Sequence, residues 1–301
     1  MPEPVIVTDV PRLPVRPRAM HKGEAGKLFC IAGSVGMVGA AALCSRAAMR
    51  AGAGLVRVGM PWRLAAVVAG RDPNVMTTAL PETEDGTLSA MSPAKILKAL
   101  EGFHGVVIGP GLSTNPQTVQ ALRTLLPEVS QRMVLDADAL NAIALDDCEG
   151  LHDLHREQGL PILTPHPGEM ARLLGNPEAA PSLREDTKTR AATAFEFARK
   201  FKVLLVLKGP GTVVTDGERL YVNGTGNPGM ATAGMGDVLA GVIGALRCQN
   251  FDPFDAAVLG VYLHGLAGDI SCAKMGPFGM LATDVIEDLP AAFKQHAEAQ
   301  G

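Results

Sequence analysis

Short apolar runs and Ala-rich or amphipathic segments take turns along most of this chain, and that alternation restricts its fold more than any other feature. Residues 27–32 read as a buried strand, 33–36 as a turn, 39–50 as an Ala-rich helix and 54–60 as a second strand. Strands then follow at 75–80, 105–108, 133–136 and 161–164, with helices at 93–100, 117–125 and from 168 to 174. Strands separated by helices cannot pair as hairpins. They need crossovers, which are right-handed and leave helices on both faces of a parallel sheet. The expected fold is therefore α/β, a three-layer αβα sandwich around a mostly parallel central sheet. Residues 183–200 have the charge mix of one amphipathic helix. Three short runs, 203–207, 212–215 and 219–222, are separated by Gly-Pro-Gly and Asp-Gly turns and predict a short antiparallel meander. Helices are expected again at 253–273 and 283–296. The first twenty residues, with Pro2, Pro4, Pro11, Pro14 and Pro17, predict an extended arm lying on the surface or on a neighbouring subunit. The expected division is that arm, 1–21, and a single catalytic domain, 22–301.

A chain of 301 residues that is 47% hydrophobic can bury a large core. Its formal charge of −4, with no Lys/Arg-rich run, argues against nucleic acid or an anionic membrane as the main partner and favours a small molecule. Cys30, Cys44, Cys148, Cys248 and Cys272 are scattered without metal-ligand spacing, which predicts reduced, buried thiols and a cytoplasmic protein. No signal-peptide core opens the chain, and apolar runs such as 203–207 are too short to span a bilayer.

The densest concentration of chemistry is Asn223 to Gly241, a glycine-rich loop feeding an apolar helix expected over 238–246. Gly224, Gly226, Gly229, Gly234 and Gly236 leave backbone amides unshielded, and amides at a helix start attract anions. Asp237 stands at the join. An acid beside a phosphate cradle suits proton removal from an alcohol during phosphoryl transfer, although Asp is also a favoured N-cap.

Further loops follow strands directly and should meet at one sheet edge, where open α/β sheets bind ligands. Gly33, Gly36 and Gly39 do not have the spacing of the dinucleotide fingerprint, which weakens a dehydrogenase reading. Gly109-Pro-Gly111 either admits a flat ring or merely turns the chain. His166, between two prolines, is either rigidly placed for a substrate or an ordinary surface residue. Lys208, Gly209, Pro210, Gly211 and Thr212 either meet a phosphate or form a hairpin with a solvated Lys. Asp138 suits an N-cap, whereas Asp136 and Asn141 are candidates to hold water around a magnesium ion. No P-loop and no acyl-transfer triad is recognisable, and no metal ligand set is readable from spacing.

Taken in order, Lys22-Gly23, Ala32-Gly-Ser34 through Gly39-Ala-Ala41, Val107-Ile-Gly-Pro-Gly-Leu112, Asp136-Ala-Asp-Ala-Leu-Asn141, Thr164-Pro-His-Pro-Gly-Glu169, Lys208-Gly-Pro-Gly-Thr212 and Asn227-Pro-Gly-Met-Ala-Thr through Gly236-Asp237 resemble the ADP-dependent (S)-NAD(P)H-hydrate dehydratases, a branch of the ribokinase-like superfamily. The likeness runs from about Lys22 to Leu289. It implies a ribokinase-like fold and a repair lyase, in which ADP phosphorylates the ring hydroxyl of hydrated NADH or NADPH and loss of phosphate restores the coenzyme with release of AMP. It further implies Asp237 as the base, Gly234, Met235 and Gly236 as the anion loop, and Ala41, Gly111, His166 and Asp237 as hydrate contacts. Lys208, Gly209, Pro210, Gly211, Thr212 and Gly236 would contact the adenine nucleotide, with Mg2+ on its phosphates. A homotetramer is expected on the same ground, as is a functional partner: an epimerase, or spontaneous epimerisation, that supplies the S epimer. The nearest alternative is a vitamin-precursor kinase of the same superfamily, acting on a hydroxymethylpyrimidine or hydroxyethylthiazole. A nucleotide-sensing binding module without turnover is the reading from another class.

Overall fold

A computed structural model of the chain describes residues 3–300; Met1, Pro2 and Gly301 lie outside the described residues. The strands are β1 (Val5–Val7), β2 (Lys27–Ile31), β3 (Leu55–Pro61), β4 (Val75–Leu80), β5 (Gly105–Ile108), β6 (Arg132–Leu135), β7 (Ile162–Leu163), β8 (Leu204–Leu207), β9 (Val213–Thr215) and β10 (Arg219–Val222). The helices are α1 (Val38–Arg50), α2 (Ala65–Arg71), α3 (Ser92–Leu100), α4 (Pro116–Leu125), α5 (Asp138–Ala144), α6 (Pro167–Leu173), α7 (Ala180–Glu185), α8 (Thr187–Phe201), α9 (Met235–Cys248), α10 (Pro253–Met275) and α11 (Ala282–Glu298).

All ten strands form one sheet in the order β1-β10-β9-β8-β7-β6-β5-β2-β3-β4. Pairing is parallel from β4 through to β8; β9 is antiparallel to both β8 and β10, and β1 is parallel to β10. Among the described strands only β9 therefore runs against the rest. The sheet is mostly parallel with helices on both sides, the expected αβα arrangement, and the 204–222 meander is antiparallel.

Strand alternation sorts the core into two layers. On β2, Leu28 and Cys30 enter the layer shared with α1, α9, α10 and α11, while Phe29 and Ile31 enter the layer shared with α3 to α6 and α8. α1 lies most extensively against α9, and glycine makes that closeness possible: a Cβ on Gly241 would stand 2.1 Å from the Cys44 carbonyl oxygen. α9 is buried along nearly its whole length, so the element carrying Asp237 is part of the core.

Several elements differ from the sequence expectation. Residues 5–7 do not merely lie on the surface; they add β1 to the sheet edge, and the arm beyond is pinned to its own chain where Leu13 N–H donates to Gln300 (3.2 Å) and Arg16 to the Gly52 carbonyl (2.7 Å). α2 was not expected. The helix expected over 183–200 is two, because Asp186 interrupts it and caps α8 by accepting from the N–H groups of Lys188 and Thr189. α9 starts at Met235 rather than Val238, with Gly234 as N-cap at φ +91°. Asp237 is thus the third residue of the helix and not its cap. α10, 23 residues long, is apolar enough to cross a membrane by length and composition, yet most of it is buried in the core. The apolar run that mattered was that one, not 203–207.

Candidate active site

The chain reverses its order of laying down strands between β2 and β5, the position at which an open α/β sheet opens a crevice. The turn after β2 and the turn after β5 meet there. Gly33 N–H donates to the Pro110 carbonyl (2.8 Å), and Ser34 Oγ to the Gly111 carbonyl (2.8 Å). Gly111, at φ +63°, has no room for a side chain, since a Cβ would lie 2.9 Å from Met37 Cβ. Ala41 is fully buried behind this contact. A molecule in the crevice would meet the exposed Gly36 and Gly39 ahead of it, not the Ala41 methyl.

The carboxyl ends of β6, β7 and β8 converge on one ammonium group. Lys208 Nζ lies 2.8 Å from Asp136 Oδ1 and 3.8 Å from Glu169 Oε2, and its side chain is only 18% exposed. Residues 208–212 do form the hairpin joining β8 to β9, but Lys208 is not a solvated Lys on it. Burial works against its charge, yet Asp136, Glu169 and Asp237 outweigh that and hold its pKa above the ordinary Lys value. Thr164 Oγ1 also donates to Asp136 Oδ1 (2.8 Å), which fixes that carboxylate.

His166 is the N-cap of α6. Its Nδ1 accepts from the N–H groups of Gly168 (3.0 Å) and Glu169 (3.2 Å), and Glu169 Oε2 accepts from His166 N–H (2.7 Å), a reciprocal capping box. An Nδ1 that accepts leaves the proton on Nε2, which faces Glu169 Oε1 at 3.3 Å. Burial, with Lys208 and Arg172 nearby, pushes the imidazole down to about 4, so it is neutral at pH 7. Burial raises Glu169, against the pull of Lys208.

α9 brings its first turn to the same place. A Cβ on Gly236 would lie 3.3 Å from Lys208 Nζ and 3.9 Å from Asp136 Oδ2, so glycine leaves the helix N-terminus open beside the ammonium group. Asp237, the next residue, is partly exposed. Burial and then the charge of Asp136 raise its carboxyl to about 7, with Lys208 opposing. A carboxyl poised there gives and takes a proton at neutral pH.

The Asp136 cluster departs from expectation at two residues. Ala137, at φ +50°, caps α5, and Asp138 is its first helical residue, accepting from Ser113 N–H (2.7 Å) and from Asn141 Nδ2 (3.0 Å). Asn141 uses its other amide atom to accept from Arg172 Nε (2.9 Å), so both ends of its side chain are already engaged. Among the described residues no group of three or more His, Cys, Asp or Glu is gathered as a metal cage. The Asp136–Lys208 pair spans 72 positions of sequence and had no local signal. The only hint was that each stands directly after an apolar strand.

The family model for NAD(P)H-hydrate dehydratases matches residues 28–291. The chain belongs to that family. It is 44% identical over 289 residues to the bifunctional NAD(P)H-hydrate repair enzyme Nnr of Moorella thermoacetica, covering 95% of this chain and 53% of that protein. Against the Nnr of Escherichia coli the identity is 40% over 279 residues, covering 92% of this chain and 49% of the relative. The chain spans about half the length of the curated relatives it matches. Its fold superposes on the ADP/ATP-dependent NAD(P)H-hydrate dehydratase of Bacillus subtilis, co-crystallised with ATP/Mg2+, with TM-score 0.76 and 28% identity over 95% of both chains. A hydroxyethylthiazole kinase from Pyrococcus horikoshii matches at TM-score 0.61 and 16% identity, covering 90% of this chain and 89% of the kinase, a likeness of fold alone. For this member of the NAD(P)H-hydrate dehydratase family, the crevice therefore has a chemistry to be matched against its groups.

Proposed function

We propose that this chain is a hydro-lyase that repairs (S)-NADHX and (S)-NADPHX, the hydrated forms of NADH and NADPH, at the expense of ADP, releasing AMP and phosphate. The observation that carries the reading is Asp237 with its pKa near 7, one residue from the glycine that opens the start of α9 onto Lys208. As a base it takes the proton of the ring hydroxyl while the hydroxyl oxygen attacks the terminal phosphorus of ADP. The bond between that phosphorus and the AMP oxygen breaks, and the amides at Gly234, Met235 and Gly236 stabilise the passing phosphoryl group. Hydroxide is a poor leaving group and phosphate a good one. The ring nitrogen then pushes its electron pair toward the carbon as the carbon–oxygen bond breaks, and loss of a proton from the neighbouring carbon restores the dihydropyridine.

The remaining groups divide between two banks. Gly111, the neutral His166 and the turn ahead of Ala41 border the hydrate. Lys208, Gly209, Pro210, Gly211, Thr212 and Gly236 border the nucleotide. Mg2+ fits the oxygen donors present: Lys208 and Thr164 both engage Asp136 Oδ1, leaving Oδ2 on the side of Gly236, and this ion needs only one or two carboxylates when phosphates and water complete its shell. When bound, Mg2+ neutralises phosphate charge. The Bacillus subtilis relative, co-crystallised with ATP/Mg2+, supports a Mg2+-bound nucleotide here. A homotetramer and an epimerase partner are carried from the same family reading, the latter in keeping with the bifunctional relatives.

The purified chain, incubated with hydrated NADH, Mg2+ and ADP or ATP, should regain the absorbance of reduced nicotinamide with one nucleotide consumed per coenzyme restored. A stable phosphoester in place of free phosphate would instead identify a vitamin-precursor-type kinase. Ligand-induced stabilisation without any product would identify a nucleotide-sensing module.

A further inference from the structure

Arg190 is 1% exposed, one of two arginines so deeply buried among the described residues, and its partners are carbonyls and one hydroxyl rather than carboxylates. From α8 its guanidinium donates to the carbonyl oxygens of Leu183 (2.8 Å) and Arg184 (3.1 Å) and to Thr187 Oγ1 (2.9 Å). The same group reaches across to the hairpin after β8, donating to the Pro210 carbonyl and to the Gly211 carbonyl (3.4 Å). Gly209, at φ +153°, lies against it, where a Cβ would stand 3.2 Å from the guanidinium carbon. Burying a cation is costly, and joining two helices to a hairpin needs only apolar contacts.

Peptide planarity shows what the cation does to the hairpin. In a trans peptide the C=O and the following N–H point in opposite directions. A Pro210 carbonyl turned toward Arg190 turns the Gly211 N–H away from α8, and the Gly211 carbonyl does the same for the Thr212 N–H. Among the described residues neither N–H has a protein acceptor. Two successive free amides in the hairpin that follows Lys208 make an anion nest, with a fixed positive charge beneath it.

We propose that Arg190 is a positioning residue for the nucleotide: it aims the Gly211 and Thr212 amides outward at the phosphates and holds the hairpin in that shape. This rests on the reading of residues 208–212 as the nucleotide bank. Arg190→Lys keeps the charge and loses the fork that reaches two hairpin carbonyls. Calorimetry with Mg2+-ADP should find affinity about tenfold weaker, with KM for ADP rising in parallel while KM for hydrated NADH stays within about twofold. Thr187→Val removes one partner of the guanidinium and should give the same ordering at about two- to threefold, which keeps the test usable if the Lys variant fails to fold. A lower melting temperature with unchanged ADP affinity in both variants would reduce Arg190 to a structural residue and overturn the proposal. Lys208→Ala is measured alongside. If it weakens ADP while the Arg190 and Thr187 variants do not, only this inference fails; if none of the three affects ADP, the nucleotide bank itself is misplaced.

Discussion

A carboxyl that titrates near pH 7 makes turnover sensitive to pH where an ordinary aspartate would not. Asp237 must be ionised to take a proton, so kcat/KM should rise about tenfold per pH unit below about 7 and level off above it. Asp237→Asn should retain the fold and lose about a hundredfold or more in kcat, as measured by coenzyme recovery at pH 8. Capping cannot explain such a loss, since Gly234 holds the cap position. Lys208→Ala should weaken nucleotide binding by about tenfold and also lower stability, because Asp136 and Glu169 would lose the cation between them. Removing one partner of a buried pair costs about 3–5 kcal/mol, so thermal denaturation should show a drop of several degrees. An unchanged melting temperature would mean that the Lys208 pair is as weak as a surface one.

Helix α9 must do two incompatible things, pack tightly against α1 and leave an open first turn, and its glycines reconcile them. Ala is favoured over Gly inside a helix by about 0.8–1.0 kcal/mol. At Gly241 the added methyl would meet the Cys44 carbonyl oxygen at 2.1 Å, and overpacking of that kind costs about 1–3 kcal/mol, so Gly241→Ala should melt lower than the parent. Gly70 on α2 has nothing within 4 Å of its missing Cβ, so Gly70→Ala should melt higher by about 0.5–1 kcal/mol of stability. Elements with a strong apolar period were legible in the sequence: β4 and β5 coincide with their expected bounds, and the strands of the meander fall where the turn residues put them. Those that escaped lacked that signal. β1 exposes Val5 and Ile6 at 65% and 64% and is a strand only because β10 offers an edge. α2 follows an exposed Trp62, and Asp186 divides α7 from α8 with neither Pro nor Gly to mark it. Arg190 is one charge among several in the segment expected to be one amphipathic helix, and a carbonyl partner 20 positions away leaves no local trace.

Across the whole molecule, two acid–base groups, one partly exposed and one buried, tilt stability in opposite directions. Asp237 keeps its proton to about pH 7 in the folded state, against 3.8 ordinarily, so its contribution is complete below about 3.8 and is lost as pH rises through about 7. His264, inside α10, is held down to about 4 by burial and by Lys208, against 6.5 ordinarily. Its contribution is complete above about 6.5 and is lost as pH falls through about 4. Between those limits the two slopes oppose each other. Asp237→Asn removes one of them, so its melting-temperature advantage over the parent should grow from pH 4 to pH 7 and stay constant above; an advantage independent of pH would show that Asp237 is not titrating in that range. The single reversed strand has a different kind of consequence. Because β9 runs backward, the 208–212 segment is a hairpin laced between two neighbouring strands and an anchored helix, while at the start of α1, just past the turn after β2, Gly39 stands with nothing within 4 Å of where a Cβ would be. One wall is stiff and the other has slack. For the proposed reaction, substitutions in the slack wall would reshape what alcohol is admitted without disturbing the grip on the donor, a route for a scaffold of this design to new acceptors.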